Sequence, residues 1–156
     1  MRKLFLGSIV GVSASLLVAQ GVAVYNYVAG AEQERVITEY ERDAFVLGGR
    51  VVKHVSIPNH VDPTLTDLVT RYATEQNTQV IVVDNTGTAV LSSDEANLPV
   101  GSSFSSRPEI QSALLGNVAS GERWSDTTQS ELVYVSVPII SGSTVYGAVR
   151  LSFPHG

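Results

Sequence analysis

The first hydrophobic run of the chain is long and carries no charge. Residues 4–28 lack any Asp, Glu, Lys or Arg, and at a rise of about 1.5 Å per residue a helix of this length crosses the roughly 30 Å core of a bilayer. Arg2 and Lys3 precede the run, and acidic residues follow it from Glu32 onwards. The pattern predicts a transmembrane helix over 4–28, with residues 1–3 in the cytoplasm and the remainder outside.

A cleaved signal peptide is the alternative for the same segment. The sequence Ala29-Gly30-Ala31 is similar to a small-residue cleavage site, but the apolar core of a signal peptide usually spans only about 7 to 15 residues. The length of the run therefore favours an uncleaved, single-pass anchor in the cell membrane. Both interpretations place the rest of the chain outside the cytoplasm.

Residues 31–57 have apolar positions at alternating three- and four-residue steps, which predicts one long helix. Its other faces carry Glu, Arg and Lys. The stripe can pack on the helix's own domain, and it can also meet a second copy of the helix in a parallel homodimer. The two arrangements are compatible, and we expect the dimer. The stripe is formed by Ile37, Tyr40, Ala44, Leu47 and Val51.

The pattern then changes from helical to extended. A second amphipathic helix is predicted to begin at Asp62 as N-cap, with Pro63 at the first helical position, and to stop near Asn77. Apolar, β-branched segments follow, interrupted by a polar loop and one short helix within 105–117. The predicted strands cover 79–84, 88–93, 118–125, 131–140 and 144–153.

Alternation along the last two strands sorts their residues onto two faces of a sheet. One face is aliphatic and can be covered by the two N-terminal helices. The other mixes aromatic, hydroxyl and cationic groups and lies under the polar loop and the short helix, so we expect a small cavity there. The first face includes Val133, Val135, Val137, Ile139, Val149 and Leu151, and the second Tyr134, Ser136, Tyr146, Arg150 and Ser152.

The short helix, within the sequence SSRPEIQSALLGN, has recognisable signals at both ends. Ser106 and Glu109 fit a capping box, Pro108 fits the first turn, and Gly116 fits the C-terminal cap. Arg107 is not explained in this way, because a cation is unfavourable near a helix N-terminus. It is expected either to pair with Asp94, Glu95 or Glu122, or to face a ligand.

Composition excludes several classes of function. Without Arg2 and Lys3, eight basic residues stand against fifteen acidic ones, a net charge of −7, which argues against nucleic acid and anionic lipid surfaces as partners. The absence of cysteine excludes disulfides and thiol catalysis. No nucleophile–base arrangement, metal-ligand spacing or complete calcium loop is present, and Asp84 fits an Asx turn better. We expect neither catalytic nor metal-binding residues.

Three pieces of the sequence, RPEIQSALLGN, GERWSDTT and LVYVSVPII followed by GAVRLSF, resemble the extracytoplasmic sensor region of bacterial membrane-bound two-component histidine kinases. The resemblance implies an α+β fold of the PAS-like Cache or PDC type. After the transmembrane helix, a long signalling helix and a second helix pack on a five-stranded antiparallel sheet, with the sensor domain at 58–153. A second transmembrane helix is expected after the tail at 154–156.

What the resemblance implies about output is an expectation about a longer protein. No phosphoacceptor histidine pattern or nucleotide-binding domain occurs in the 156 residues, so ATP, Mg²⁺ and a response regulator would enter only through a kinase core that this chain lacks. We expect the sensor part of such a kinase, and a fragment of it. The alternatives are a stand-alone anchored or secreted binding protein, a chemoreceptor sensor and the sensor of a cyclic-dinucleotide enzyme.

In related sensors a small anion often occupies the cavity, and guanidinium groups bind carboxylate or phosphate in bidentate fashion. The resemblance therefore suggests a small anionic ligand, with an extracytoplasmic protein as the alternative signal. Trp124, the single tryptophan, is expected to be a lid or a core residue. The candidate ligand-binding residues are Arg107, Arg123, Ser125, Thr127, Tyr134 and Arg150.

Overall fold

A computed structural model describes residues 34–126 and 128–155. The predicted transmembrane helix at 4–28 and the candidate Thr127 lie outside these residues. Within the described part, no helix is both long enough and apolar enough to span a bilayer. The chain divides into two units at Ile37: residues 34–36 are helical, and residues 37–155 belong to one compact unit.

The described residues form three helices, and the first confirms the long helix predicted from the apolar stripe. Helix α1 covers residues 34–56, α2 covers Thr64–Gln76, and α3 covers Pro108–Leu114. The start of α2 differs by one residue from the prediction, because Pro63 is the N-cap. Asp62 still caps in effect, since its carboxylate accepts hydrogen bonds from the Thr64 amide at 3.0 Å and the Thr64 hydroxyl at 2.6 Å.

Five strands form one antiparallel sheet in the order β2-β1-β5-β4-β3, which confirms the predicted α+β class. The predicted strand positions agree with the observed ones to within one or two residues. The longest strands, β4 and β5, lie in the middle and join through a hairpin. The bounds are Gln79–Asp84 for β1, Ala89–Ser92 for β2, Ala119–Ser125 for β3, Ser130–Ser141 for β4 and Thr144–Pro154 for β5.

The turn between β1 and β2 is an Asx turn, as expected. The Asp84 carboxylate accepts hydrogen bonds from the amides of Thr86 and Thr88, and Gly87 has a φ of +82°. Because the carboxylate is used to fold the turn, its geometry is explained without a bound cation.

The main core lies between the sheet and helices α1 and α2. The aliphatic face of β4 and β5 is buried there as alternation predicted, and the side chains of Ala44, Leu47 and Val51 from α1 are almost completely buried against it. Tyr40 stacks on Phe153 with ring centroids 3.9 Å apart. The α1 stripe thus packs on its own domain. The homodimer stays a prediction. Because the stripe residues of α1 are buried within the domain, a second copy would have to contact another face of the helix.

The opposite face of the sheet carries a smaller second core. Helix α3 packs there through Ile110 and Ala113, and Phe104 from the preceding loop packs beside them. Alternation along the sequence predicted that this face is polar and forms a cavity. Part of the face is instead apolar, and α3 packs on that part. The remaining sheet residues of this core are Ile81, Val83, Ala89 and Ala148.

The predicted capping box at the start of α3 is wrong. The N-cap is Arg107, and no side chain bonds to the amides of the first turn. Glu109 is only 2% exposed, because it faces arginines on the sheet instead of the backbone of Ser106. The C-terminal prediction is confirmed: Gly116 has a φ of +93°, and its amide donates to the Ala113 carbonyl at 2.9 Å.

Candidate functional site

A cavity of about 400 Å³ opens on the α3 side of the sheet. Its volume lies within the range of small-molecule sites, which is about 300 to 1,000 Å³. Its walls come from β1, β3, β4 and β5 and from the loop before α3. The lining residues are Gln79, Asn97, Leu98, Arg107, Arg123, Trp124, Ser125, Asp126, Thr128, Leu132, Tyr134, Arg150 and Ser152.

Arg150 is the deepest cation of this cavity. It lies on β5, next to the middle of the sheet, and its side chain is 6% exposed. Its guanidinium is 5.2 Å from the centre of the Phe104 ring, and its Nη1 donates to Glu109 Oε1 at 3.2 Å. Burial lowers the pKa of the Arg150 guanidinium, while the neighbouring Glu109 carboxylate opposes that shift.

Arg123 reaches the same carboxylate from the edge strand β3. Its Nη2 donates to Glu109 Oε1 at 3.2 Å, and its guanidinium is 5.3 Å from the centre of the Tyr134 ring. The side chain is 37% exposed, so solvent and ligands reach it more easily than they reach Arg150. The Arg150 guanidinium therefore forms the floor of the cavity, and the Arg123 guanidinium forms one of its sides.

Gly121 leaves room for Tyr134, which faces it across the β3–β4 pair. A Cβ at position 121 would lie 2.5 Å from the tyrosine hydroxyl oxygen and 2.8 Å from the ring carbon that bears it. Neither distance is compatible with a side chain at 121, so the glycine is a steric requirement for the Tyr134 ring position beneath Arg123.

Glu109 connects the short helix to both of these arginines. One oxygen, Oε1, accepts from Arg123 and from Arg150, while Oε2 is buried without a hydrogen-bond partner in the described part of the chain. The Nε of Arg150 is also buried and unpaired there. Buried polar atoms of this kind normally find a partner, so the cluster has hydrogen-bonding capacity to spare.

Arg107 differs from the other two arginines because its side chain is exposed and it forms no ion pair with a described residue. The expected partner Asp94 instead accepts hydrogen bonds from Gln79 and Asn97. Arg107 lines the cavity. Arg107 is the N-cap of α3, and because its side chain is exposed, solvent screens its unfavourable interaction with the helix N-terminus.

The electrostatics of the site favour an anion. Three guanidinium groups face or border the cavity, and the carboxylates of Glu109 and Asp126 offset only two of their charges. The apolar wall formed by Leu98 and Leu132 reduces the local dielectric and strengthens the remaining positive potential. The arrangement can bind a carboxylate or phosphate through guanidinium hydrogen bonds, and none of its described lining residues forms a nucleophile–base pair.

Five of the six predicted site residues line this cavity: Arg107, Arg123, Ser125, Tyr134 and Arg150. The sixth, Thr127, lies outside the described residues, and its neighbour Thr128 lines the cavity. Trp124 is 58% exposed and lies at the cavity, as expected of a lid and not of a core residue.

Several residues of the site escaped the sequence prediction, among them Glu109, which contacts the lining residues Arg123 and Arg150 without lining the cavity itself. Glu109 was assigned to helix capping, and Gln79 and Asp126 gave no signal of their own. Ser152 was foreseeable, because it shares the alternating face of Arg150 on β5. The loop residues Asn97 and Leu98 could not be placed, since nothing in a polar loop fixes its path over the sheet.

Comparison with protein families identifies one match. Residues 65–152, more than half of the chain, match the family model described as the WalK sensor protein kinase Cache domain. The match begins in α2 and ends in β5, so it contains the sheet except for the last two residues of β5, together with α3 and the arginine-lined cavity. No curated protein compared with the sequence matches it.

Solved structures share the fold at low sequence identity. The ligand-binding domain of the Campylobacter jejuni chemoreceptor Tlp3, in complex with 4-methylisoleucine, superposes with a TM-score of 0.59 at 14% identity, covering 78% of this chain and 52% of that one. The sensor domain of the Vibrio cholerae histidine kinase DctB gives 0.50 at 16% identity, with 83% and 57% covered.

A third structure, a domain of a putative sensory box/GGDEF family protein from Vibrio parahaemolyticus, gives a TM-score of 0.58 at 16% identity, with 80% and 56% covered. The chain thus spans little more than half the length of these structures. The predicted resemblance to Cache/PDC sensor domains is confirmed.

Proposed function

The chain belongs to the WalK sensor protein kinase Cache domain family, and we propose that it senses a small anion that binds in the arginine-lined cavity. The described domain is a Cache sensor of the kind found in histidine kinases and chemoreceptors. Such domains lie outside the cytoplasm in membrane receptors. The proposal adds to this the chemical class of the signal and the residues that recognise it.

One observation carries the proposal: Arg107, Arg123 and Arg150 converge on a single cavity of about 400 Å³, and their charges are only partly neutralised. Because several guanidinium groups with incompletely compensated charge bind a carboxylate more strongly beside an apolar wall than in bulk water, the cavity has the properties of an anion site. The complex of the Tlp3 ligand-binding domain with 4-methylisoleucine supports a ligand with a carboxylate, since this amino acid carries one beside its ammonium group.

For output, we propose the sensor part of a membrane-anchored two-component histidine kinase, with residues 4–28 as the anchor. The family match supports a kinase. The fold similarity to a chemoreceptor and to a GGDEF-family protein keeps those output modules, and a stand-alone binding protein, as alternatives. The genomic sequence downstream of codon 156 separates them, because a kinase requires a dimerisation helix with a phosphoacceptor histidine.

Signal transmission would use the contact between the sheet and α1. Tyr40 of α1 stacks on Phe153 at the end of β5, and Arg150 of the cavity lies three residues earlier on the same strand. A change at the cavity therefore acts on the same strand that contacts the signalling helix. Ligand binding can shift that helix only by the difference in its affinity for the two signalling states.

The first prediction tests the anion site by thermal unfolding of the purified chain with a panel of small carboxylates and phosphates. At least one anion should raise the melting temperature by several degrees, since ligand at about 100 times its Kd stabilises the folded state by roughly 2.7 kcal/mol. Arg107→Ala and Arg123→Ala should abolish the shift. Lys53→Ala, which removes an exposed cation from α1, should retain it.

Two results would contradict the proposed function. One is a panel in which no anion stabilises the chain. The other is a stabilisation that Lys53→Ala reduces as much as the two arginine variants do, because that pattern would mean a general effect of charge on the whole surface and not a site.

A further inference from the structure

We propose that Glu109 is an internal competitor for the anion, and that a bound carboxylate displaces it from Arg123. This inference rests on the proposed function and concerns the same site. In the structure, the Glu109 carboxylate occupies guanidinium hydrogen bonds that a carboxylate ligand would use. Binding is then an exchange of one carboxylate for another at Arg123.

The contact geometry shows a weakly satisfied carboxylate. Both arginines donate to the same oxygen, Oε1, each at 3.2 Å, which is longer than the approximately 2.7 to 2.9 Å typical of such charge-assisted bonds. The other oxygen has no partner among the described residues. Neither arginine is engaged by the bidentate geometry that makes guanidinium–carboxylate pairs strong.

The exchange is expected at Arg123 and not at Arg150. The Arg150 side chain is 6% exposed and lies over Phe104, whereas the Arg123 side chain is 37% exposed. If Glu109 loses its contact with Arg123, its contact with Arg150 remains. The buried Glu109–Arg150 pair then persists, and its two charges still compensate each other. Arg123 would keep its position over Tyr134 and turn its free donors towards the ligand.

The exchange also couples the cavity to α3. The carboxylate of Glu109 connects the first turn of this seven-residue helix to Arg123 on β3, while Ile110 and Ala113 hold the helix on the sheet. When the ligand binds Arg123, the hydrogen bond from Arg123 on β3 to Glu109 on α3 is broken. The apolar contacts of Ile110 and Ala113 with the sheet remain. Occupancy of the cavity thus becomes a change in how α3 is held.

The test compares acetate binding to the native chain and to Glu109→Gln, measured by calorimetry. Acetate is a small carboxylate with no second hydrogen-bonding group, so its binding reports on the carboxylate alone. The glutamine keeps the shape and removes the competing charge, so the dissociation constant for acetate should fall about tenfold. Glu75→Gln, which makes the same charge change on the exposed surface of α2, should leave it unchanged.

Unchanged or weaker acetate binding in Glu109→Gln overturns the competitor role, because a glutamate that only positions the arginines would weaken binding when replaced. If a member of the anion panel binds the native chain but gains nothing from Glu109→Gln, the inference fails and the proposed function stands. If no anion binds either protein, both fail.

A second measurement covers the case in which Glu109→Gln does not fold. In the native chain, the NMR signal of the Glu109 side-chain carboxyl carbon should shift and saturate as acetate is added, together with the Arg123 Nε signal. An unchanged Glu109 carbon at acetate concentrations that saturate the arginine signal would overturn the exchange.

Discussion

Replacement of Gly147 by alanine is expected to abolish cooperative folding, with a loss of more than about 4 kcal/mol in the free energy of unfolding. Gly147 lies on β5 and pairs with Asp84 of β1. A Cβ there would overlap the carbonyl oxygen of Val83 and would lie 3.2 Å from its carbonyl carbon and 3.3 Å from the Asp84 Cα. These are backbone atoms of a paired strand, so they cannot move aside without breaking the ladder.

Urea unfolding followed by circular dichroism measures this loss, and Gly49→Ala provides the matched control. A Cβ at Gly49 would meet nothing within 4 Å, and alanine is favoured over glycine within a helix by about 1 kcal/mol. The control should therefore be as stable as the native chain or more so. A Gly147→Ala protein that unfolds at the native midpoint would show that the β1–β5 pairing at this point is wrong.

Arg150→Met is expected to lower the free energy of unfolding by about 3 to 5 kcal/mol, because it removes one partner of a buried ion pair and leaves the other without full compensation. Glu109 is almost completely buried, and Arg123 alone would remain to offset its charge. The midpoint and slope of urea unfolding measure the change, with a constant slope showing that the unfolded state is unaffected.

The double variant Glu109→Gln with Arg150→Met shows how much of the loss in unfolding free energy comes from the uncompensated charge and how much from altered packing. With both buried charges removed, the double variant should recover much of the loss, and the two substitutions should be strongly non-additive. Additive losses would mean that Glu109 and Arg150 contribute independently. In that case the Glu109 Oε1 contact at 3.2 Å would not be the interaction that stabilises the second core.

The sheet and its main core could be predicted from the sequence because alternation has a fixed period. Val133, Val135 and Val137 on β4 can share a face only if the strand is extended, and the aliphatic composition of that face identifies it as the core side. The same alternation placed Tyr134 and Arg150 on the opposite face, where the cavity lies. The two faces of β4 and β5, and two of the six candidate site residues, followed from this single regularity.

Glu109 could not be predicted correctly because two physical explanations fit the same residue. Its spacing from Ser106 satisfies the capping box, which is a local interaction that a sequence displays. Its actual partners, Arg123 and Arg150, are 14 and 41 residues away along the chain. Only the packing of α3 on the sheet brings them together, and the long-range contacts of Glu109 with the two arginines then replace the local cap.

The α1 stripe shows a related ambiguity between intramolecular and intermolecular contacts. Spacing alone indicates that Ala44, Leu47 and Val51 are covered, but it does not identify the surface that covers them. In the structure the covering surface is the chain's own sheet. The homodimer prediction therefore has to rest on other residues of α1, and analytical ultracentrifugation of the purified chain would test it.

The central claim is that Arg107, Arg123 and Arg150 form one anion site. NMR of the arginine side-chain Nε–H groups, recorded while the chain is titrated with the panel of carboxylates and phosphates, tests it most directly. At least one anion should shift the signals of these three arginines along a common saturation curve and leave Arg50 and Arg71, on helices α1 and α2, unchanged. Equal shifts at all arginines, or none at the three cavity arginines with any anion, would contradict the claim.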